Sequence, residues 1–354
     1  MMSWEKVVRR VTPYVPGEQP KDENIIKLNT NECPYPPAPG VRKLLDNMKY
    51  EDMRLYPDPE ATALTEALSE YYKVPEDQIF VGVGSDDVLS MAYLTFFNSD
   101  KPILFPDITY SFYDVWAELY KIPYKRIPVA DDFTINFEDY YEENQPNGGV
   151  IIANPNAPVG IFEPVSKLEE LVKHNRNSVV IIDEAYIDFG GESALPLIEK
   201  YDNVLIVQTF SKSRAMAGMR IGYAFGSKKL IGYMKDAKFS FNSYTMNRPS
   251  LELGVEAIKD DEYFRQTVDK IIATRERVKK ELDALGFSFP DSKANFIFAK
   301  HYRVSGEELF LALKKEGIYV RYWSKERIYN HLRITIGTDE EMDKLIGFLK
   351  DYLS

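Results

Sequence analysis

The sequence predicts an α/β fold: a large unit on a mostly parallel central sheet, followed by a smaller α+β unit. Three observations lead there. Short apolar runs of strand length alternate with helical stretches from about residue 60 onward, as buried parallel strands joined by crossover helices do. Several runs end in polar residues, Asn154, Asp183 and Thr209, at the strand ends where open α/β sheets carry their ligands. After Gly286 the order changes to strand, helix, strand, strand, helix.

In chain order, the first 40 residues carry Pro13, Pro16, Pro20, Pro34, Pro36, Pro37 and Pro39. Proline fixes φ and removes a backbone donor, so this stretch reads as an extended arm lying on another surface. Residues 61–73 set Leu64, Ala67, Leu68 and Tyr71 at helical spacing. The runs QIFVGVG (78–84), KPILF (101–105), GVIIANP (149–155), SVVIIDEAY (178–186) and NVLIVQTF (203–210) read as strands. Residues 251–285 are amphipathic, charged and free of proline, and read as one long helix or two. Beyond them ANFIFAK, IYVRYW and HLRITIG read as strands, and GEELFLALKKEG and DEEMDKLIGFLKDYL as helices. The expected division is an arm over 1–40 packing on the small unit or a partner subunit, a large unit over 41–250, and a linking helix with the small unit over 251–354.

A length of 354 residues agrees with two domains. Such a chain buries roughly three quarters of its unfolded surface and needs no staple. Hydrophobic residues at 44% and charged residues at 28% exclude disorder and low complexity. With 44 Lys and Arg against 55 Asp and Glu, the net charge of −11 repels nucleic acid. Cys33 is the one cysteine, and His174, His301 and His331 lie far apart, so neither an internal disulfide nor a His/Cys metal site is expected. The start MMSWEKVVRR carries charge where a signal peptide needs apolar residues, and no apolar run approaches the ~18 residues of a membrane span. A soluble, cytoplasmic protein without membrane partners is expected.

The chemistry concentrates in Thr209-Phe210-Ser211-Lys212 and the following Gly218-Met219-Arg220-Ile221-Gly222. Lysines normally occupy solvated faces, and one just past a strand end among hydroxyls is unusual. A reactive amine near a guanidinium and two hydroxyls suits an aldehyde cofactor that carries a phosphate; a plain basic loop is the alternative. Asp183-Glu184-Ala185-Tyr186 closes a strand of valines and isoleucines. Pyridoxal 5′-phosphate (PLP) needs a carboxylate that keeps its ring nitrogen protonated, so that the ring accepts carbanion charge. A phenol can bond the ring oxygen. An Asp at such a spot more often caps a loop, and it is the combination with Lys212 and Arg220 that favours the cofactor.

On these residues the sequence resembles the fold-type I aminotransferases, and within them the histidinol-phosphate aminotransferase branch. The resemblance runs from about Thr12 to Gly337 through LNTNE, RLYPD, GVGSDD, ANPNAPVG, DEAYIDF, TFSKSRAMAGMRIGYA and HLRITIGT. It implies that Lys212 forms the imine link to PLP and then, freed by substrate, moves the proton. Asp183 would pair with the ring nitrogen, Tyr186 would bond the ring oxygen and Tyr110 would stack on the ring. Gly84, Ser85 and Asp86, standing directly before a helix, would form the phosphate cup with Thr209, Ser211 and Arg220. Arg333 would clamp an α-carboxylate, Arg321 would reach a distal phosphate, and Tyr14, Asn31 and Tyr56 would complete the pocket. Tyr56 would come from the partner subunit, which implies a homodimer. Asn156 is carried over as a cofactor contact, yet the family's usual Asn-Asn-Pro-Thr-Gly is here Asn156-Ala157-Pro158-Val159-Gly160. Asp87 stands for the usual glutamate, and FSFNSYTMNR diverges after Phe241-Asn242.

The resemblance implies transfer of an amino group from histidinol phosphate to 2-oxoglutarate, giving imidazole-acetol phosphate and glutamate. Threonine-phosphate decarboxylation, or transamination of aromatic or other amino acids, uses the same scaffold and stays open. A non-catalytic sensing module is the third reading; the arm is too short and proline-rich for the winged helix such modules carry.

Overall fold

The computed structural model describes residues 3–21 and 24–354. In chain order its regular elements begin with β1 (Ile26–Leu28), α1 (Pro39–Asn47), α2 (Thr62–Tyr72), β2 (Ile79–Gly82) and α3 (Gly84–Phe96). There follow β3 (Ile103–Pro106), α4 (Phe112–Tyr120), β4 (Tyr124–Ile127), β5 (Gly149–Ala153), α5 (Val165–Lys173), β6 (Val179–Asp183), β7 (Val204–Thr209) and β8 (Gly222–Gly226). The chain continues through α6 (Lys228–Phe241), α7 (Arg248–Lys259) and α8 (Asp261–Ala284). It ends with β9 (Phe287–Ser288), β10 (Phe296–His301), α9 (Gly306–Lys315), β11 (Ile318–Tyr322), β12 (Leu332–Thr335) and α10 (Asp339–Leu353).

Seven strands form the large sheet in the order β2-β8-β7-β6-β5-β3-β4. Pairs among β3 to β7 are parallel, whereas β8 runs antiparallel to both β2 and β7. Alternate residues of one strand serve opposite cores, as the pleat requires. Val180 and Ile182 of β6 join one cluster with Leu64, Leu168 and Leu253, and Ile181 joins the other with Leu89, Trp116 and Met234. Helices therefore cover both faces, which is why these strands read as continuous apolar runs.

The smaller sheet has the order β1-β11-β12-β10-β9. Its apolar side packs on α8, α9 and α10 through Val268, Leu309 and Leu345. β1 lies within the first 40 residues and pairs parallel with β11, so part of the expected irregular arm is a strand. Three residues are too few for a periodic signal; pairing with β11 creates the strand. The 251–285 stretch divides at Asp260, whose side chain caps α8 by accepting from the Tyr263 N–H. Sequence reading also passed over β4, an edge strand with exposed Lys125 and Arg126, and β8, a five-residue run bounded by glycines. Among the described residues no helix is long and apolar enough to cross a membrane.

Candidate active site

β5, β6 and β7 are parallel, so Ala153, Asp183 and Thr209 end at one edge of the sheet. A cavity of about 750 Å³ opens there against the smaller sheet. Its walls include Lys212, Asp183, Tyr186, Tyr110, Arg220 and Arg333, and also Tyr14, Asn31, Ser85, Asp86, Thr209, Ser211 and Arg321. Residues up to 319 positions apart in sequence thus meet in one space.

Lys212 follows β7 and donates from Nζ to the Thr30 carbonyl at 3.2 Å. Its Nζ also lies 5.8 Å from the Tyr186 ring centroid. Asp183 is 5% exposed. Burial pushes its carboxyl up to about 6, while the donors beside it and Lys212 oppose that shift. Those donors are the Tyr113 hydroxyl on Oδ2 at 2.8 Å and the Ala185 N–H on Oδ1 at 3.3 Å. Sequence reading missed Tyr113. Its signal was its position three residues after Tyr110, in the first turn of α4, which opens beside the Tyr110 loop.

A second group of residues surrounds the start of α3. The helix starts at Gly84, so Gly84, Ser85 and Asp86 form its first turn and do not precede it as expected. Asp87 accepts the Val83 N–H at 2.9 Å and holds that start in place. Gly84 has φ +81, and a Cβ there would lie 2.4 Å from Arg220 Nη2. A Cβ at Gly222 would lie 2.2 Å from the Gly84 carbonyl carbon and the Ser85 nitrogen. Only glycines let β8, Arg220 and the helix N-terminus approach this closely. Arg220 donates to Asp86 Oδ2 at 3.2 Å and to Ser211 Oγ at 3.4 Å, and Thr209 donates to Ser211 Oγ at 3.0 Å. Free helical N–H groups, two hydroxyls and a guanidinium make a donor set suited to a phosphate.

Tyr110 donates to Asp86 Oδ1 at 2.8 Å. Tyr14 stacks on Phe112 with ring centroids 4.3 Å apart, which lays the arm across the cavity. Arg333 donates from Nη2 to the Asn29 carbonyl at 2.8 Å, but among the described residues its buried Nε has no partner. Such an orphaned charged donor is costly unless an anionic ligand takes it. Arg321 donates to the Val15 and Pro16 carbonyls of the arm at 3.0 and 3.2 Å. The ring of Trp323, two residues beyond Arg321, lies 5.3 Å from each of the two guanidinium groups. The period of two, carried one residue past the end of β11, puts Trp323 on the face of Arg321, a signal that sequence reading did not use.

Two expected residues lie elsewhere. Asn156 does not line the cavity: its amide donates to the Ile108 carbonyl at 2.9 Å and accepts from Thr109 at 2.7 Å. It braces the loop that carries Tyr110, while Ala157 lines the wall in its stead. Tyr56 is 78% exposed and stacks on Tyr244 at 4.6 Å, outside this cavity.

The site's chemistry fits the expected cofactor. An amine, a buried carboxylate, a phenol and an anion cup face one space, and a second anion site with an unpaired Arg333 nitrogen lies across it. Among the described residues no cluster of metal-ligating side chains occurs.

Comparisons with known proteins agree. The sequence pattern of the family "Aminotransferase class I and II" matches residues 23–349. The histidinol-phosphate aminotransferase of Lactococcus lactis subsp. cremoris strain MG1363 is 52% identical over 352 residues, covering 99% of this chain and 98% of that protein. The solved histidinol-phosphate aminotransferase of Sinorhizobium meliloti, in complex with pyridoxal-5′-phosphate, superposes with a TM-score of 0.84 at 24% identity, over 93% of this chain and 90% of that one. The L-threonine-O-3-phosphate decarboxylase of Porphyromonas gingivalis superposes with a TM-score of 0.76 at 20% identity, over 93% of this chain and 99% of that one. Both solved structures therefore share the fold, and the fold alone does not choose between their reactions.

Proposed function

The chain belongs to the class I and II aminotransferases, and from that premise we infer a PLP-dependent enzyme of histidine biosynthesis. It transfers the amino group of histidinol phosphate to 2-oxoglutarate, giving imidazole-acetol phosphate and glutamate. The observation that carries this reading is the 52% identity over 99% of the chain to a histidinol-phosphate aminotransferase.

When bound, PLP supplies an electron sink for the pair left as the substrate's C–H bond breaks. We propose that Lys212 Nζ takes that proton and returns it, acting as base and then acid. Asp183 is raised to about 6 yet holds two donors, so at neutral pH it remains ionised and can pair with a cationic ring nitrogen. Tyr186 serves the ring oxygen and Tyr110 the ring face. Gly84, Ser85, Asp86, Thr209, Ser211 and Arg220 hold the phosphate, and the two glycines that admit Arg220 to the α3 N-terminus support this.

Histidinol phosphate carries a phosphate ester on the carbon beside its amine-bearing carbon, where glutamate carries a carboxylate. One anion site must therefore accept both groups. Arg333, with its unpaired Nε, fits the carboxylate, and Arg321 supplies a second guanidinium for the larger dianion. Tyr14 and Asn31 line the same space.

Homodimerisation is our reading of the exposed face around Tyr56. Tyr50, Met53, Leu55, Phe241 and Tyr244 are also exposed, and Tyr244 stacks on Tyr56; apolar side chains gathered on a surface mark an interaction site. Tyr56 would then serve the neighbouring subunit's cavity. Sedimentation tests this: a monomer at micromolar concentration would refute it. The division at residues 40 and 250 and a cytoplasmic location belong to the same reading.

The decisive experiment is a single-turnover absorbance measurement on the PLP-loaded protein. Histidinol phosphate should bleach the visible band, and 2-oxoglutarate should restore it. If phosphothreonine alone reacts, with release of carbon dioxide, the enzyme is a decarboxylase instead.

A further inference from the structure

One wall of the cavity holds a hydroxyl whose direction the roles above do not explain. Tyr186 and Ala157 line it together, and Ala157 offers no polar side-chain atom. Among the described residues the Tyr186 hydroxyl has a single hydrogen-bond partner, Asn31 Nδ2, which donates to it at 2.9 Å. A phenol has one hydrogen to give. The group that donates to its oxygen therefore decides where that hydrogen points.

The orientation of the Asn31 amide is itself fixed. Asn31 is 1% exposed and holds φ +57, in the left-handed region that asparagine tolerates better than most residues. Its main-chain N–H donates to Thr335 Oγ1 at 3.0 Å, and its Oδ1 accepts from the same hydroxyl at 3.0 Å. Turning the amide over would leave the buried Thr335 hydrogen without an acceptor, a state native structures avoid. Asn295 Nδ2 donates to the Asn31 carbonyl at 3.0 Å and pins the backbone as well. With Nδ2 held toward Tyr186, the phenol oxygen accepts and its hydrogen turns away from Asn31.

We propose that Asn31 is a positioning residue: braced by Thr335 and Asn295, it directs the Tyr186 hydrogen into the cavity, toward the ring oxygen of the cofactor. The proposal rests on the reading that PLP occupies this cavity. A hydrogen bond donated to that oxygen draws charge from it. The proton on the neighbouring Lys212 nitrogen is then held less tightly and leaves at lower pH.

The test reads the pH midpoint of the visible absorbance change in the PLP-loaded protein, independent of turnover. Asn31→Gly removes the amide at a φ that glycine adopts without strain, and Asn31→Asp keeps the shape but can only accept. Each is made in the native and in the Tyr186→Phe background. Lys212, Asp183, Glu32, Asp86, Arg220, Arg321 and Arg333, charged groups that line the same cavity, are unchanged throughout. In the native background Asn31→Gly should raise the midpoint by about one unit, a tenfold change in proton affinity. In the Tyr186→Phe background it should move by less than about 0.3 units, because the group through which Asn31 acts is gone. The charge of Asn31→Asp adds equally in both backgrounds and cancels in the difference, so this pair decides alone if the glycine variant does not fold. Equal shifts in the two backgrounds, or none in either, overturn the proposal alone. A native protein that gains no visible band with PLP overturns the cofactor reading, and the proposal with it.

Discussion

Arg321 and Arg333 stand directly opposite one another, paired in register across the antiparallel strands β11 and β12. Like charges so placed repel. Burial, and to a lesser degree Arg321 itself, makes Arg333 hold its proton less tightly than usual. The carbonyls of Asn29, Val15 and Pro16 and the Trp323 ring offset the repulsion in part. A dianion bound between the two guanidinium groups removes it, so a phosphorylated donor gains from both.

Arg333→Lys keeps the charge and loses the fork. We expect a loss of about 2–3 kcal/mol, roughly 30- to 150-fold in kcat/KM, for histidinol phosphate and glutamate alike. Arg321→Lys should cost the phosphorylated donor a similar factor and leave glutamate within about threefold, the reach of a ~0.5 kcal/mol surface effect. Steady-state kinetics with the two donors distinguishes the cases; equal losses would remove Arg321 from phosphate recognition.

Lys212→Ala should still take up PLP but show no band that borohydride bleaches into a stable adduct. Turnover should fall by at least about 10³-fold, since the residue that moves the proton is gone. Near-normal turnover would exclude Lys212 as the catalytic amine.

Tyr113→Phe removes the hydroxyl that donates to Asp183 Oδ2 at 2.8 Å. Without that donor the carboxyl should rise further above about 6. PLP binding weakens as this group protonates, and the pH at which it weakens should move up by about one unit. Fluorescence titration of the apoprotein across pH 5–8 measures this, and an unmoved profile would count against Tyr113.

Burial pushes Glu184 up to about 7 even though Ser193, Ala194 and Gln208 donate to it. In the folded protein it therefore binds its proton more tightly than in the unfolded chain. Its contribution to stability is complete below its ordinary value of 4.5 and is lost as pH rises through about 7. Asp183 adds to the same decline between 3.8 and about 6 in the apoprotein. Glu184→Gln should lower overall stability but flatten its decline from pH 4.5 to 7. Urea unfolding at several pH values reads that slope, and an unchanged slope would mean that Glu184 does not titrate there.

Gly222→Ala sets a Cβ 2.2 Å from the Gly84 and Ser85 backbone, where no flexible side chain can yield. It should destabilise the protein by about 1–3 kcal/mol and weaken PLP binding, because the α3 N-terminus must shift. Thermal melts with and without PLP check both effects; a melt and an affinity matching the parent would show the contact to be slack.

The buried parallel strands, the terminal helices and the polar strand ends were legible in the sequence. Their signals are local: an apolar run of strand length, a helical period, a polar residue at a run's end. Asp183, Thr209 and Lys212 could be picked out on that basis. β1 and β4 could not, because they are short edge strands that only pairing with a neighbour makes, and β8, though interior, carries only Tyr223, Ala224 and Phe225 between two glycines.

By itself, then, the sequence determined the α/β class, the chemical groups of the site and, by resemblance, the family to which they belong. Tertiary structure alone decided which groups meet and which way their hydrogens point. It turned Asn156 from the cavity to the Tyr110 loop, left Tyr56 on the surface and tied Asp183 to Tyr113. It also set Asn31 between Thr335 and Tyr186. A hydrogen bond is fixed by distance and direction between atoms, and residues 155 or 304 positions apart acquire both only once two sheets have packed around one space.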